Sequence, residues 1–246
     1  MSLLEVNTEA RVRRVTLNRP GKRNALSAEL CRELADAIEQ ADQDSSVGAI
    51  LLAANGTAFC AGMDLGEVRP ELEDEIGDAH QRLFTIGARI HTPLIAAVQG
   101  PALGGGTGLV ANCHIVMAAE AASFGLTEIR LGLWPFLVYR AVELAVGERR
   151  TVELALTGRV FDAPEGWELG LVHEVTADAL ARAGEVARMI AAYSPTAIGT
   201  GMAFVQEVRG KNWQESAEIA RRVRNQVFAS PAFLESIQRF RRKPGH

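Results

Sequence analysis

Two apolar runs without a charged residue, Ile50-Leu51-Leu52-Ala53 and Leu94-Ile95-Ala96-Ala97-Val98, each end shortly before a glycine-bearing segment. This pairing constrains the fold more than any other feature. Short, continuously apolar runs of this kind read as buried strands. The segments that follow, Phe59 to Leu65 and Gly100 to Gly106, then fall at strand ends, where α/β proteins build their sites. Glycine leaves no side chain in the way of a ligand, so both segments can offer bare backbone N–H groups. Two such donors converging on one oxygen would form an oxyanion hole, and Glu128 downstream supplies a proton carrier.

The remaining pattern supports the same α/β class. Val12 to Leu17 alternates as a strand should and is broken at Asn18-Arg19-Pro20-Gly21. Ser27 is placed to cap a helix whose Leu30, Leu34, Ile38 and Ala41 share one face. Ile115 to Ala118 is a third buried-strand run, and helical patterns take over beyond Ala179. We divide the chain into a core over residues 1–190 and a helical region over 191–246.

With 246 residues, 48% of them hydrophobic and 23% charged, the chain can bury a substantial core. Residues 90–119 lack Asp, Glu, Lys and Arg, yet Pro93, Pro101 and the glycines argue against a membrane span. Cys31, Cys60 and Cys113 form no CxxC pair, which fits a reducing cytoplasm. The charged N-terminus does not read as a secretory signal. The net charge of −4 hides a basic end, in which Arg221 to His246 carry Lys and Arg against the single acid Glu235. Such a cluster can hold phosphates or form a solvated helix face. Overall acidity and the lack of interleaved aromatics speak against nucleic acid.

Other readings of the glycines fail on spacing. Gly106 is followed by Thr107-Gly108 and no lysine, so there is no P-loop, and Leu109 breaks GxGxxG. No GxSxG occurs, and Cys113-His114 lacks a partner at metal-ligand spacing, so no metal site is expected. His114 reads as a strand-end histidine.

At these residues the chain resembles the crotonase superfamily, or enoyl-CoA hydratase/isomerase family. The resemblance runs over nearly the whole length. It includes Leu17-Asn18-Arg19-Pro20 with Lys22 to Ser27, Ala58 to Leu65, Gly100 to Gly106, Phe124 to Ile129 and Ala163 to Val172. It implies a spiral of repeated ββα units, a C-terminal helical trimerisation region, and a homotrimer or homohexamer. It also implies a coenzyme A thioester as substrate, with no separate cofactor.

The resemblance puts the oxyanion donors at the N–H groups of Ala61 and Gly105 and the catalytic carboxylate at Glu128. It assigns substrate contacts to Gly62, Met63, Asp64, Leu65, Gly104, Gly108 and Trp134 around the acyl group. Lys22, Arg23 and Ala25 are expected to meet the nucleotide end of CoA, together with Phe240 and Lys243 of a neighbouring subunit. Leu133 to Phe136 and residues 66–84 are expected to line the pocket.

One departure bears on the chemistry. Hydratases of this family carry a first glutamate three residues after the oxyanion glycine, and that position is Gly108. Water addition divides its proton transfers between two carboxylates, whereas a double-bond shift needs one. Glu128 alone therefore favours an isomerase over a hydratase. Burial among Phe124, Leu126, Ile129, Leu131, Leu133 and Trp134 is expected to raise its pKa. Asp64, Glu67 or Glu71 could restore a second acid, which keeps the hydratase open. A non-catalytic acyl-CoA-binding protein is the alternative from another class, in which Glu128 is only a surface carboxylate at a helix start.

Overall fold

The computed structural model describes residues 2–67, 69 and 73–241. They form two compact units that divide between Tyr193 and Ser194. Unit one opens with an antiparallel hairpin, β1 (Leu4–Glu9) and β2 (Val12–Leu17), followed by α1 (Ala28–Gln43). Ser27 caps α1 by accepting the Leu30 N–H at 3.1 Å, and Leu30, Leu34, Ile38 and Ala41 are fully buried on its inner face. Then come β3 (Ala49–Ala54), α2 (Glu73–Phe84), β4 (Leu94–Val98), β5 (Ala102–Leu103) and α3 (Gly105–Ala111). They are followed by β6 (Ile115–Ala119), β7 (Ser123–Gly125), α4 (Phe136–Val146) and α5 (Glu148–Thr157). Last are β8 (Phe161–Asp162), α6 (Ala163–Leu169), β9 (Glu174–Thr176) and α7 (Ala179–Ala191).

The strands form two sheets, a six-stranded one in the order β1-β2-β3-β4-β6-β9 and a three-stranded one, β5-β7-β8. From β2 onward the large sheet is parallel. The chain visits the sheets alternately. β4 joins the large sheet, β5 the small one, and α3 follows; β6, β7 and α4 repeat the order. The turn before these has the same form, because after β3 an isolated bridge pairs Cys60 with Ala102 of β5. This is the expected ββα spiral.

Both faces of the large sheet are covered, so its central strands are apolar throughout. Alternate residues go opposite ways: Ile50 and Leu52 join the main core with α1 and α2 residues, whereas Ala49, Leu51 and Ala53 pack with Ala183 and Ala187 of α7. His114 sits at a strand end as expected, its Nδ1 accepting the Leu94 N–H at 2.9 Å. Unit two is helical, with α8 (Pro195–Glu207), α9 (Trp213–Phe228) and α10 (Pro231–Arg241). An Asn212 and Glu215 capping box starts α9, and Arg222 pairs with Glu207 at 2.6 Å. Among the described residues no helix is long and apolar enough to cross a membrane.

Candidate active site

The spiral brings the two glycine segments into contact. Phe59 and Cys60 donate their N–H groups to the Pro101 carbonyl, and Leu103 donates back to Cys60 at 3.0 Å. Gly62, at φ +90°, sits so close that an added Cβ would lie 2.8 Å from the Leu103 oxygen and 3.3 Å from the Gly105 nitrogen. No larger residue fits there. A Cβ on Gly106 would come within 2.2 Å of the Cys60 oxygen. These glycines serve both close packing and display of backbone.

Which N–H groups are displayed differs from the expectation. The Ala61 N–H is taken, donating to the Arg23 carbonyl at 3.0 Å, so Ala61 cannot also hold a substrate oxygen. Leu26 donates to the Gly62 carbonyl and Asp64 donates to the Leu26 carbonyl, which leaves the intervening Met63 N–H with no acceptor among the described residues. The Gly105 N–H opens α3 and has none either. Met63 and Gly105 both line a cavity of about 510 Å³. The displayed pair is therefore Met63 and Gly105.

Glu128 lines the same cavity. It lies at the start of a short helical turn, Glu128–Leu131, beside Gly104, where an added Cβ would be 3.3 Å from Glu128 Oε1. Gly104 adopts φ +53° and ψ −120°, a conformation closed to side-chain-bearing residues, and its N–H is held by Gly125. Glu128 Oε2 is buried with no hydrogen-bond partner among the described residues. Burial raises the pKa of this carboxyl above its ordinary value, as expected. The surroundings differ in part from the expectation. Phe124 and Leu126 are buried in the core, but Ile129, Leu131 and Leu133 are largely exposed. The cavity wall shared with Glu128 includes Leu133 and Trp134, as expected, together with His80 and Phe84 of α2.

The expected second acids are committed elsewhere. Asp64 pairs with Arg19 at 2.6 Å and accepts the Gly66 N–H at 3.0 Å, and the Arg19 contact holds its carboxyl below the usual range. Glu67 caps α1, accepting the Ala28 N–H at 2.8 Å. Glu71 and Lys243 lie outside the described residues. Glu128 is thus the one carboxylate lining the cavity among them. Gly108 does not line it: Gly108 is buried, and a Cβ there would sit 2.2 Å from Val138 Cγ1. Val138, which does line the cavity, fills the volume a longer side chain at 108 would need.

The remaining expected contacts divide. Trp134 is on the wall with Leu133, Pro135 and Phe136, and from residues 66–84 so are Arg69, Ile76, Gly77, His80 and Phe84. Leu65 is exposed in a short turn outside it. Lys22 and Arg23 are exposed and Ala25 half-buried on a turn tied to the first glycine segment. Asn24, fully buried at φ +54°, makes that tie by donating to the Asn55 and Ala58 carbonyls at 2.9 and 3.0 Å. Phe240 is exposed on α10. Sequence reasoning placed His80 within the expected wall over 66–84, but it missed Met63 as a donor and Asn24 as the clamp. The Arg19-Pro20 turn before Asn24 was the only signal for the clamp.

Comparison with known proteins follows this geometry. A family model described as enoyl-CoA hydratase/isomerase matches residues 7–245. A probable enoyl-CoA hydratase of Rhizobium meliloti is 37% identical over 96% of this chain and 94% of its own length. A 4-chlorobenzoyl coenzyme A dehalogenase of Arthrobacter is 35% identical, over 93% of this chain and 87% of its own. The crystal structure of an enoyl-CoA hydratase from Mycobacterium smegmatis superposes with a TM-score of 0.93 at 31% identity, over 100% of this chain and 99% of that one.

Proposed function

The chain belongs to the enoyl-CoA hydratase/isomerase family, and from that membership we propose that it shifts the double bond of an enoyl-CoA thioester, with Glu128 as the only proton carrier. The observation that carries the reading is the single described carboxylate in the cavity, beside two unclaimed N–H groups. Glu128 takes a proton from C2 of a 3-enoyl thioester, and the electrons move to the thioester oxygen. The Met63 and Gly105 N–H groups stabilise that oxygen in place, each contributing about 3 kcal/mol by the precedent of other oxyanion donors. The dienolate then collects the same proton at C4. The conjugated 2-enoyl thioester forms, and the carboxylate is regenerated. No cofactor enters beyond the CoA of the substrate.

Water addition is the second reading, favoured by the names of the relatives. Their identity does not select the reaction, since a dehalogenase stands at 35% beside a hydratase at 37%. Lys22, Arg23 and Phe240 remain proposed contacts for the CoA nucleotide. The exposed Trp213, Phe228 and Leu234 of the second unit support a homotrimer or homohexamer. The test is a mass-resolved assay with matched 3-enoyl-CoA and trans-2-enoyl-CoA, each beside Glu128→Gln. Isomerisation without water addition, lost in the variant, is expected. Hydration of the 2-enoyl thioester would overturn the reading in favour of the second.

A further inference from the structure

Helix α2 turns Ile76, Gly77, His80 and Phe84 to the cavity, and of these only His80 is polar. His80 is 5% exposed, packs against Phe84 at 5.8 Å between ring centroids, and has no hydrogen-bond partner for Nε2 among the described residues. Its other ring nitrogen is engaged with the backbone of Leu26. The Leu26 N–H already goes to the Gly62 carbonyl, so the carbonyl is the group of Leu26 left to face a protonated ring nitrogen. With the proton on Nδ1, Nε2 is an acceptor with a free lone pair. Burial pushes the pKa of the ring down, which favours the neutral imidazole.

A second observation lies one turn away on the same helix face. Gly77 is three residues before His80, and a Cβ built on it meets nothing within 4 Å. A glycine inside a helix costs about 1 kcal/mol relative to alanine. Neither a positive φ nor close packing explains it here. What it preserves is open space next to His80.

We infer that the acyl group of the substrate carries a hydroxyl, which occupies the space beside Gly77 and donates a hydrogen bond to His80 Nε2. The inference rests on the acyl-CoA reading above and adds a substrate class to it. His80 is a specificity-determining residue here, with no part in moving the proton between C2 and C4. A buried acceptor awaiting a hydroxyl discriminates strongly against an analogue that lacks one, because the acceptor is then left unpaired.

The test is calorimetric binding, without turnover, of octanoyl-CoA and of hydroxyoctanoyl-CoA thioesters with the hydroxyl moved from the fifth to the eighth carbon. At least one hydroxylated thioester should bind the wild type about tenfold more tightly than octanoyl-CoA. His80→Phe should erase that preference, and His80→Asn, whose amide oxygen can accept, should keep part of it. Gly77→Leu should narrow the difference in affinity between the hydroxylated thioester and octanoyl-CoA. Equal affinity for every thioester in the wild type, or a preference that survives His80→Phe, overturns the inference. Failure to isomerise a 3-enoyl-CoA with the binding preference intact would instead refute only the proton-transfer reading. Failure to bind any of the thioesters would refute both.

Discussion

Glu128→Gln should make the protein more stable at alkaline pH while removing its proposed activity. The carboxyl has an ordinary pKa of 4.5 and is raised by burial, with Oε2 left unpartnered among the described residues. In the unfolded chain the group ionises near 4.5, whereas in the fold it keeps its proton to higher pH. Above 4.5 the unfolded state therefore binds fewer protons than the native state, and stability falls as pH rises through the window up to the folded pKa. Below 4.5 both states are protonated and the penalty vanishes. Gln keeps the shape without the charge. Leaving a buried charged acceptor unpaired costs about 1–3 kcal/mol, and the amide forfeits part of the gain through its own unpaired N–H groups. A net advantage of about 1–2 kcal/mol at pH 8 corresponds to a melting temperature about 2–8 °C higher for a chain of this size. Calorimetric melting near pH 4 and pH 8 measures it, and the two proteins should melt together at the lower pH. A variant no more stable at pH 8, or equally advantaged at both, would refute the picture of a buried, unpaired carboxylate.

Gly108→Glu should not restore a second catalytic acid, because its Cβ would lie 2.2 Å from Val138 Cγ1. Overpacking of that kind costs about 1–3 kcal/mol, read as a lowered urea midpoint, and Val138→Ala in the same chain should recover part of it. Asp64→Asn removes one side of the 2.6 Å Arg19 contact. Because the Asp64 pKa is depressed in the fold, its contribution of about 1–2 kcal/mol is present above the unfolded value of 3.8 and disappears as pH falls through the folded one. The stability gap between Asp64→Asn and wild type should therefore close in acid, while the pH profile of turnover stays that of Glu128. Asn24→Ala strands the Asn55 carbonyl and the Arg19 N–H, while the Ala58 carbonyl keeps Gln99, and should cost about 2–3 kcal/mol, read as a lowered Tm, together with a loss in kcat/KM because the same clamp carries the first glycine segment.

The elements that position the site were legible because their signals are local. The apolar runs at Ile50 and Leu94 became β3 and β4, and Ser27 caps α1 as its residue type suggests. Glu128 was legible from its place downstream of the glycine segments. The donor in the first segment was missed by two residues. Nothing in Cys60-Ala61-Gly62-Met63 says which N–H is spent inside the protein, and that is decided by Arg23, almost forty positions earlier, whose carbonyl takes the Ala61 N–H. Asp64 and Glu67 looked like spare acids for the same reason. Their partners, Arg19 and the start of α1, are distant in sequence. His80 lay in the stretch expected to line the pocket, but nothing singled it out there, since one histidine in an amphipathic helix is indistinguishable from a surface residue until the cavity exists. The hydrophobic residues after Glu128 misled in the opposite direction, because apolar Ile129 and Leu131 are exposed while backbone at Gly104 comes up against the carboxylate.

A 3-enoyl-CoA deuterated at C2, converted in ordinary water and read by mass spectrometry of the product, tests the single-carboxylate claim most directly. One glutamate working in a water-poor cavity carries the label from C2 to C4, so a measurable share of the 2-enoyl product should retain deuterium at C4, and Glu128→Gln should form almost no product. Product that has gained a water, or that forms at an undiminished rate in Glu128→Gln, would contradict the account.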